Sequence, residues 1–184
     1  MITAALVLLA QLITPTPVPS PSPPLGYGPW HLGMSKDEVK AATEFGPYSP
    51  VASTGGLETR NGLFADRKTT ISFVFGERGL RIIQIWAYEG RELDEAVGAF
   101  YRVYHHLVAL RGPVEIPGLT VPEHADSATF TGIVRKTLAA VPPDRAVKVQ
   151  IIPLDRPSDV NIFSSLMKQP QIGYYYVFLY YRAP

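Results

Sequence analysis

Two segments rich in aromatic residues, 82–88 and 174–181, have the residue types and spacing of a recognition surface. In a β-strand, successive side chains point to opposite faces, so alternate residues share a face. One face of these strands would carry tryptophan and tyrosine, and the other would carry mainly aliphatic side chains. Aromatic rings with a polar tip bury a large area with few rotatable bonds, and they are enriched at interfaces. The pattern predicts that this protein works by binding.

The predicted binding residues share the face that stays open if helices cover the aliphatic face. Ile83 and Ile85 would lie under the helices, together with Val177 and Leu179. The open face would then carry the predicted partner-binding residues, which are Trp86, Tyr88, Tyr174, Tyr176, Tyr180 and Lys148, with Gln150 beside them. Other interpretations are that both faces are buried, that the open face forms a homodimer contact, or that its rings stack on the sugar rings of a glycan.

Histidines and acidic residues offer a weaker case for catalysis. His105 and His106 are adjacent on a predicted helix, where neighbouring side chains point about 100° apart, so they cannot hold one metal ion together and we expect both to face solvent. In the cluster of Glu123, His124 and Asp126, Asp126 would cap a helix, and the alternative is a hydrolase centred on His124. The sequence contains no Gly-x-Ser-x-Gly, His-Glu-x-x-His or phosphate-binding glycine motif. We therefore expect no enzymatic activity, no metal site and no cofactor.

Charge and cysteine content exclude several classes of partner and site. The chain has 17 Lys and Arg residues against 16 Asp and Glu, a net charge of +1, so bulk charge does not favour nucleic acid or an anionic membrane. The chain has no cysteine, which excludes disulfides, thiolate metal sites, a cysteine nucleophile and a lipid-acceptor cysteine. We predict that the protein has no nucleic-acid partner.

The N-terminal residues indicate export from the cytoplasm. The first 35 residues contain no Lys, Arg, Asp or Glu. Residues 1–13 form an apolar segment that is too short to span a bilayer but typical of a signal-peptide core, although no basic residue precedes it. Residues 14–29 are rich in Pro, Ser and Thr, which predicts an extended tether. We expect one domain over residues 30–184 in an extracytoplasmic location, either periplasmic or secreted.

Local patterns predict helices before and between groups of strands. Ser35 and Glu38 form a capping box that begins a helix, and Gly46 marks its end. The predicted strands are 57–64, 69–75, 80–88, 146–152 and 171–181, with a further strand fitting over 160–166, and the predicted later helices are 92–110 and 126–140. The predicted fold class is α+β, a two-layer sandwich of helices on an antiparallel sheet, which would allow two similar αβ halves at 30–90 and 91–184.

One stretch of the predicted domain resembles a known family. Its residues are Leu32-Gly33-Met34-Ser35-Lys36-Asp37-Glu38-Val39 and Phe45-Gly46-Pro47, followed by a pair of strands with a glycine turn. The stretch looks like the SmpA/OmlA family of outer-membrane assembly lipoproteins and the related β-lactamase inhibitory protein fold. This resemblance, which covers residues 32–88, implies a two-layer α/β module that binds another protein through its sheet without catalysis. The chain lacks the lipid-acceptor cysteine of the first group and the disulfides of the second, so neither specific function carries over.

The sequence therefore predicts a non-catalytic, extracytoplasmic module that engages an unknown protein partner of the envelope or the exterior through an aromatic sheet face. A homodimer would use the same face. The alternatives are a glycan-binding envelope protein, in which the same rings would contact sugars, and a hydrolase with its site near His124.

Overall fold

The computed structural model describes residues 25–122, 124–155 and 161–183, so the predicted apolar segment 1–13 lies outside the described residues, as do residues 14–24 of the predicted tether. In the described residues the helices are α1 (Lys36–Lys40), α2 (Leu93–Arg111) and α3 (Ser127–Ala139), with a 3-10 turn at Thr43–Phe45. The strands are β1 (Gly26–Tyr27), β2 (Trp30–His31), β3 (Tyr48–Val51), β4 (Gly56–Phe64), β5 (Arg67–Gly76), β6 (Gly79–Gly90), β7 (Val114–Glu115), β8 (Val147–Pro153), β9 (Asn161–Gln169) and β10 (Tyr174–Arg182).

Strands β3 to β10 form one eight-stranded antiparallel sheet with the order β3-β4-β5-β6-β10-β9-β8-β7. Each half of the order is a run of strands consecutive in the chain, and the last strands of the two runs, β6 and β10, pair with each other. In that pair, Ile83 is opposite Tyr181 and Ile85 is opposite Leu179. The two aromatic segments of the sequence therefore lie side by side in the middle of the sheet.

The predicted fold class, an α+β two-layer sandwich of helices on an antiparallel sheet with two similar αβ halves, is wrong. Strands make up 43% of the described residues and helices 26%, which defines a mostly-β fold with few helices. Among the described helices, α2 is the long one that lies on the sheet, across β6 and β8 to β10, whereas α3 packs mainly against α2. The capping box predicts where α1 begins but not how long it runs, and α1 has only 5 residues. The three described helices therefore do not form the predicted second layer over the sheet.

The apolar stripe of α2 packs on one side of the sheet, which we call the helix-facing side. The residues of α2 that are buried there are Ala96, Val97, Ala99, Phe100, Val103, Tyr104 and Leu107. The sheet contributes the alternate side chains predicted to be aliphatic, among them Ile83, Ile85, Val177 and Leu179, each 0% exposed. The alternation of these segments therefore predicts the buried side correctly. Among the described helices, none combines the length and the hydrophobicity that a transmembrane span requires.

The β1–β2 hairpin and α1 pack on the helix-facing side at β5. Trp30 lies at the centre of this packing and is 2% exposed. Its ring centroid lies 4.9 Å from that of Phe45 and 5.0 Å from that of Phe73 in β5. Its Nε1 donates a hydrogen bond to the Val39 carbonyl at 3.2 Å. One side chain thus joins the hairpin, α1, the following turn and the sheet.

The capping box predicted at the start of α1 is present, and its loss should destabilise the protein. The Glu38 amide donates to Ser35 Oγ at 3.3 Å, and the Ser35 amide donates to the Glu38 carboxylate at 2.7 Å, which lowers the pKa of Glu38. Because a lost cap leaves helical amides without this partner, Ser35→Ala should lower the free energy of unfolding by about 1 kcal/mol in urea titrations. Ser53→Ala, in an exposed turn, is the matched control. Equal losses in both variants would contradict the capping role.

Candidate binding face

The face of the sheet opposite the helix-facing side, which we call the open face, collects most of the predicted binding residues. Trp86 is opposite Phe178, Tyr176 is opposite Met167, and Met167 is opposite Lys148. Side chains directly opposite each other on antiparallel strands share a face. The open face therefore brings together five of the six predicted residues, which are Trp86, Tyr174, Tyr176, Tyr180 and Lys148.

Tyr88, the sixth predicted residue, lies on the helix-facing side. The pairing of β6 with β10 shifts register between Val177 and Phe178, so Tyr88 is opposite the buried Val177. The Tyr88 hydroxyl accepts a hydrogen bond from the Glu92 amide at 3.0 Å, at the start of α2. Counting alternate residues assumes an uninterrupted strand, and a bulge breaks that assumption. Glu89, which is exposed and opposite Tyr176, occupies the open face instead.

The aromatic side chains of β10 form a continuous row on the open face, which we call the aromatic row. Its ring centroids lie 6.1 Å apart between Tyr174 and Tyr176, 5.8 Å between Tyr176 and Phe178, and 5.8 Å between Phe178 and Tyr180. The rings of Tyr176 and Phe178 are stacked at an interplanar angle of 9°. Trp86 meets Phe178 edge-on at 4.8 Å. Neighbouring rings of the aromatic row therefore lie side by side along the open face.

Among the open-face residues that the sequence-based selection missed, three are large and apolar and lie beside the selected ones. Phe178, at the centre of the aromatic row, is 5% exposed, and the alternation that selected its tyrosine neighbours also includes it. Phe163 and Met167 come from β9, the strand that local patterns predicted least clearly. The ring of Phe163 stacks on that of Tyr180 at 4.7 Å. Large apolar residues at alternate positions of β9 were the pattern that could have identified them.

A shallow groove of about 620 Å³ lies on the open face beside the aromatic row, and we call it the open-face groove. Its lining residues are Trp86, Ala146, Val147, Lys148, Met167, Lys168, Gln169, Pro170, Gln171, Tyr176 and Phe178. The Trp86 indole is fixed by a hydrogen bond from its Nε1 to Ser72 Oγ at 3.1 Å. Burial raises the pKa of the Tyr176 hydroxyl. The groove thus combines an apolar floor, in which the Trp86 indole is fixed by a hydrogen bond, with lysine and tyrosine side chains.

A second cavity, of about 900 Å³, adjoins His124. Its walls are mainly apolar and come from the end of α2 and from residues 112–122, with Glu115 among them. Asp126 caps α3, since the Thr129 amide donates to its carboxylate at 2.7 Å, and this hydrogen bond lowers the pKa of Asp126. Glu123, the other acid of the predicted cluster, lies outside the described residues. The hydrolase hypothesis requires a cavity at His124, and the structure has one. The carboxylate of Asp126, however, already accepts the capping hydrogen bond of α3.

The adjacent histidines of α2 have different environments. His105 is exposed, and its Nε2 lies 2.8 Å from the Tyr101 hydroxyl. His106 is half-buried, its Nε2 lies 2.9 Å from the Tyr181 hydroxyl, and its ring packs against that of Phe64 at 5.4 Å. The expectation that both face solvent is therefore wrong for His106, because the β1–β2 hairpin covers this side of α2 through Tyr27. In the described part of the chain, no group of three His, Asp or Glu side chains could hold a metal ion.

The burial of His106 predicts how stability depends on pH. Burial lowers the pKa of His106 below its ordinary value of 6.5. The unfolded chain therefore binds more protons than the folded chain as the pH falls from 6.5 toward the lower folded-state pKa, and stability is lost through that window. Urea unfolding of the wild type should show this loss as the pH falls below about 6.5. The decline should be shallower in His106→Gln, and parallel pH profiles for the two proteins would contradict the assignment.

The comparisons with known proteins leave the family of this chain open. No known protein family, no curated protein and no solved structure matches the chain significantly. The resemblance of residues 32–88 to the SmpA/OmlA family and the β-lactamase inhibitory protein fold therefore stays a prediction.

Proposed function

We propose that this protein is a non-catalytic binding module that engages a protein partner through the open face, outside the cytoplasm. The observation that supports the proposal is the aromatic row, which runs unbroken along β10 and borders the open-face groove. Tryptophan and tyrosine are the residues that most often dominate the energy of protein interfaces. The central position of β6 and β10 in the sheet makes this surface rigid, which lowers the entropy lost on binding.

The orientation of the rings favours a protein over a glycan. A sugar ring stacks on the flat face of an aromatic ring. Tyr176 and Phe178 are stacked at 9° with their ring centroids 5.8 Å apart, and Trp86 stands edge-on to Phe178 at 86°, so these rings do not form one flat platform. Edges and hydroxyl groups suit the irregular apolar and polar surface of a protein partner.

An affinity purification with matched variants tests the proposal. The full wild-type chain, the double variant Trp86→Ala/Tyr176→Ala and the control Tyr101→Ala would each be used to capture partners from the envelope fraction of the native cell. Tyr101 is a half-buried tyrosine on α2, away from the open face. We expect a stoichiometric protein with the wild type and the control but not with the double variant, after circular dichroism shows all three to be folded. Equal recovery with all three, or selective binding of glycans only, would contradict the proposal.

A further inference from the structure

The open-face groove has a length that limits what can occupy it. Its lining residues come from four neighbouring strands, β6, β10, β9 and β8. Adjacent strands lie about 4.8 Å apart, so the groove crosses roughly 14 Å of the sheet. An extended chain covers about 3.3 Å per residue, and about four residues would therefore span the groove. The groove therefore has room for a short extended segment of a partner.

The floor of the groove suits one large apolar side chain. Trp86 and Phe178 meet edge-on at 4.8 Å, and Met167 lies on the neighbouring strand, opposite Tyr176. Methionine adapts its shape to what packs against it and makes favourable contacts with aromatic rings. The indole of Trp86 cannot move freely, because its Nε1 is hydrogen-bonded to Ser72. The result is an apolar floor with one adaptable wall.

All the charged side chains that line the groove are positive. Its lining includes two lysines, Lys148 and Lys168, and no Asp or Glu. Lys148 is exposed and lies on β8, at one end of the groove. Glu89, an acid of the open face outside the lining, lies on β6 at the opposite end, about 14 Å away across the strands. A carboxylate of the partner would therefore be attracted to the end of the groove at β8.

We propose that the open-face groove takes a short extended segment of the partner protein, in which a large apolar side chain packs among Trp86, Phe178 and Met167 and an adjacent acidic residue pairs with Lys148. This inference rests on the proposed function, because it names the chemistry of the partner for the same face. An anionic glycan would meet the same lysine, but the rings of Trp86 and Phe178 stand at 86° to each other and so offer a sugar no common flat platform.

Selection of peptides on the full chain tests this inference. Short random peptides displayed on phage would be enriched on the wild type, and their affinities would then be measured by fluorescence polarisation. We expect the enriched peptides to share a large apolar residue next to Asp or Glu. Trp86→Ala should weaken their binding about 30-fold or more, and Lys148→Glu should weaken it about 3- to 10-fold. Peptides with Lys in place of the acid should regain affinity for Lys148→Glu. Lys136→Glu, a charge reversal at an exposed position of α3, should change nothing.

The outcomes separate this inference from the proposed function. Enriched peptides that lack an acid, or that bind Lys148→Glu as tightly as the wild type, would overturn the acidic segment while a Trp86-dependent protein partner could still be captured. A selection that enriches no peptide dependent on Trp86 would overturn the extended segment. Failure of the wild type to capture any partner protein from the envelope fraction would, in addition, overturn the proposed function itself. Binding of anionic glycans in place of peptides would also overturn the inference.

Discussion

Trp30→Ala is expected to lower the free energy of unfolding by about 3–5 kcal/mol, the usual range for truncating a large buried aromatic residue. Trp30 is 2% exposed and packs between Phe45 and Phe73. Its removal would leave a cavity where the β1–β2 hairpin, α1 and β5 meet. It would also leave the Val39 carbonyl without the donor that now reaches it from the indole. Loss of packing and loss of a buried hydrogen bond act in the same direction.

The second tryptophan provides the matched control for this measurement. Trp86 is only half-buried, so Trp86→Ala should lower the free energy of unfolding by about 1–2 kcal/mol. Chemical denaturation of both variants, followed by far-ultraviolet circular dichroism, gives the two values. Similar losses for Trp30→Ala and Trp86→Ala would contradict the assignment of Trp30 to the core and of Trp86 to the open face.

Trp86→Ala is expected to weaken partner binding about 30-fold or more, which corresponds to about 2 kcal/mol or more of binding free energy. The ring centroid of Trp86 lies 4.8 Å from that of Phe178 and 6.3 Å from that of Tyr176. Trp86 is therefore at the junction of the aromatic row and the open-face groove. Truncation at the centre of an interface removes packing on both sides and admits water to neighbouring contacts. The affinity for the captured partner would be measured by titration calorimetry.

The control for the binding experiment is Tyr101→Ala. Tyr101 is an aromatic residue of comparable burial on α2, and its truncation should leave affinity within about twofold of the wild type, because residues outside an interface contribute little. An equal loss for Trp86→Ala and Tyr101→Ala would indicate general destabilisation. A loss in Tyr101→Ala alone would place the interface on the helix-facing side and contradict the account.

Alternation along the strands predicted the two faces of the sheet correctly wherever the strands are regular. Ile83, Ile85 and Leu179 are buried beneath α2, and Trp86 and Tyr176 lie on the open face, as counting alternate residues requires. Counting failed at Tyr88 because a bulge in the pairing of β6 with β10 changes the face of every residue beyond it. A bulge depends on the partner strand, which local sequence does not specify.

The fold class was missed because it depends on lengths and long-range pairing, not on where elements begin. Caps such as Ser35 are local, and they predicted helix starts well. How α3 packs, mainly against α2 and not across the sheet, depends on the assembled chain. The environment of His106 shows the same limit, since it depends on Tyr181, which is 75 residues away in sequence.

Only part of the candidate site could be predicted, because the rest of it depends on long-range strand pairing. The tyrosines of β10 and Trp86 could be selected because each lies in a strongly alternating segment. The open-face groove also needs Met167 from β9 and Lys148 from β8. Only the strand order brings these residues beside β10, and that order follows from pairing across the whole sheet.

Site-specific photocrosslinking in the native cell would show whether the open face is the binding surface, because it reports what touches each side of the sheet. A photoreactive phenylalanine analogue would replace Tyr174 and Lys148 on the open face, one at a time. The same analogue at Tyr101 and Lys136, on α2 and α3, provides matched controls. We expect one cross-linked partner protein from both open-face positions and none from the controls. Cross-links from the control positions alone, or open-face cross-links only to glycan or only to a second copy of this chain, would contradict this expectation.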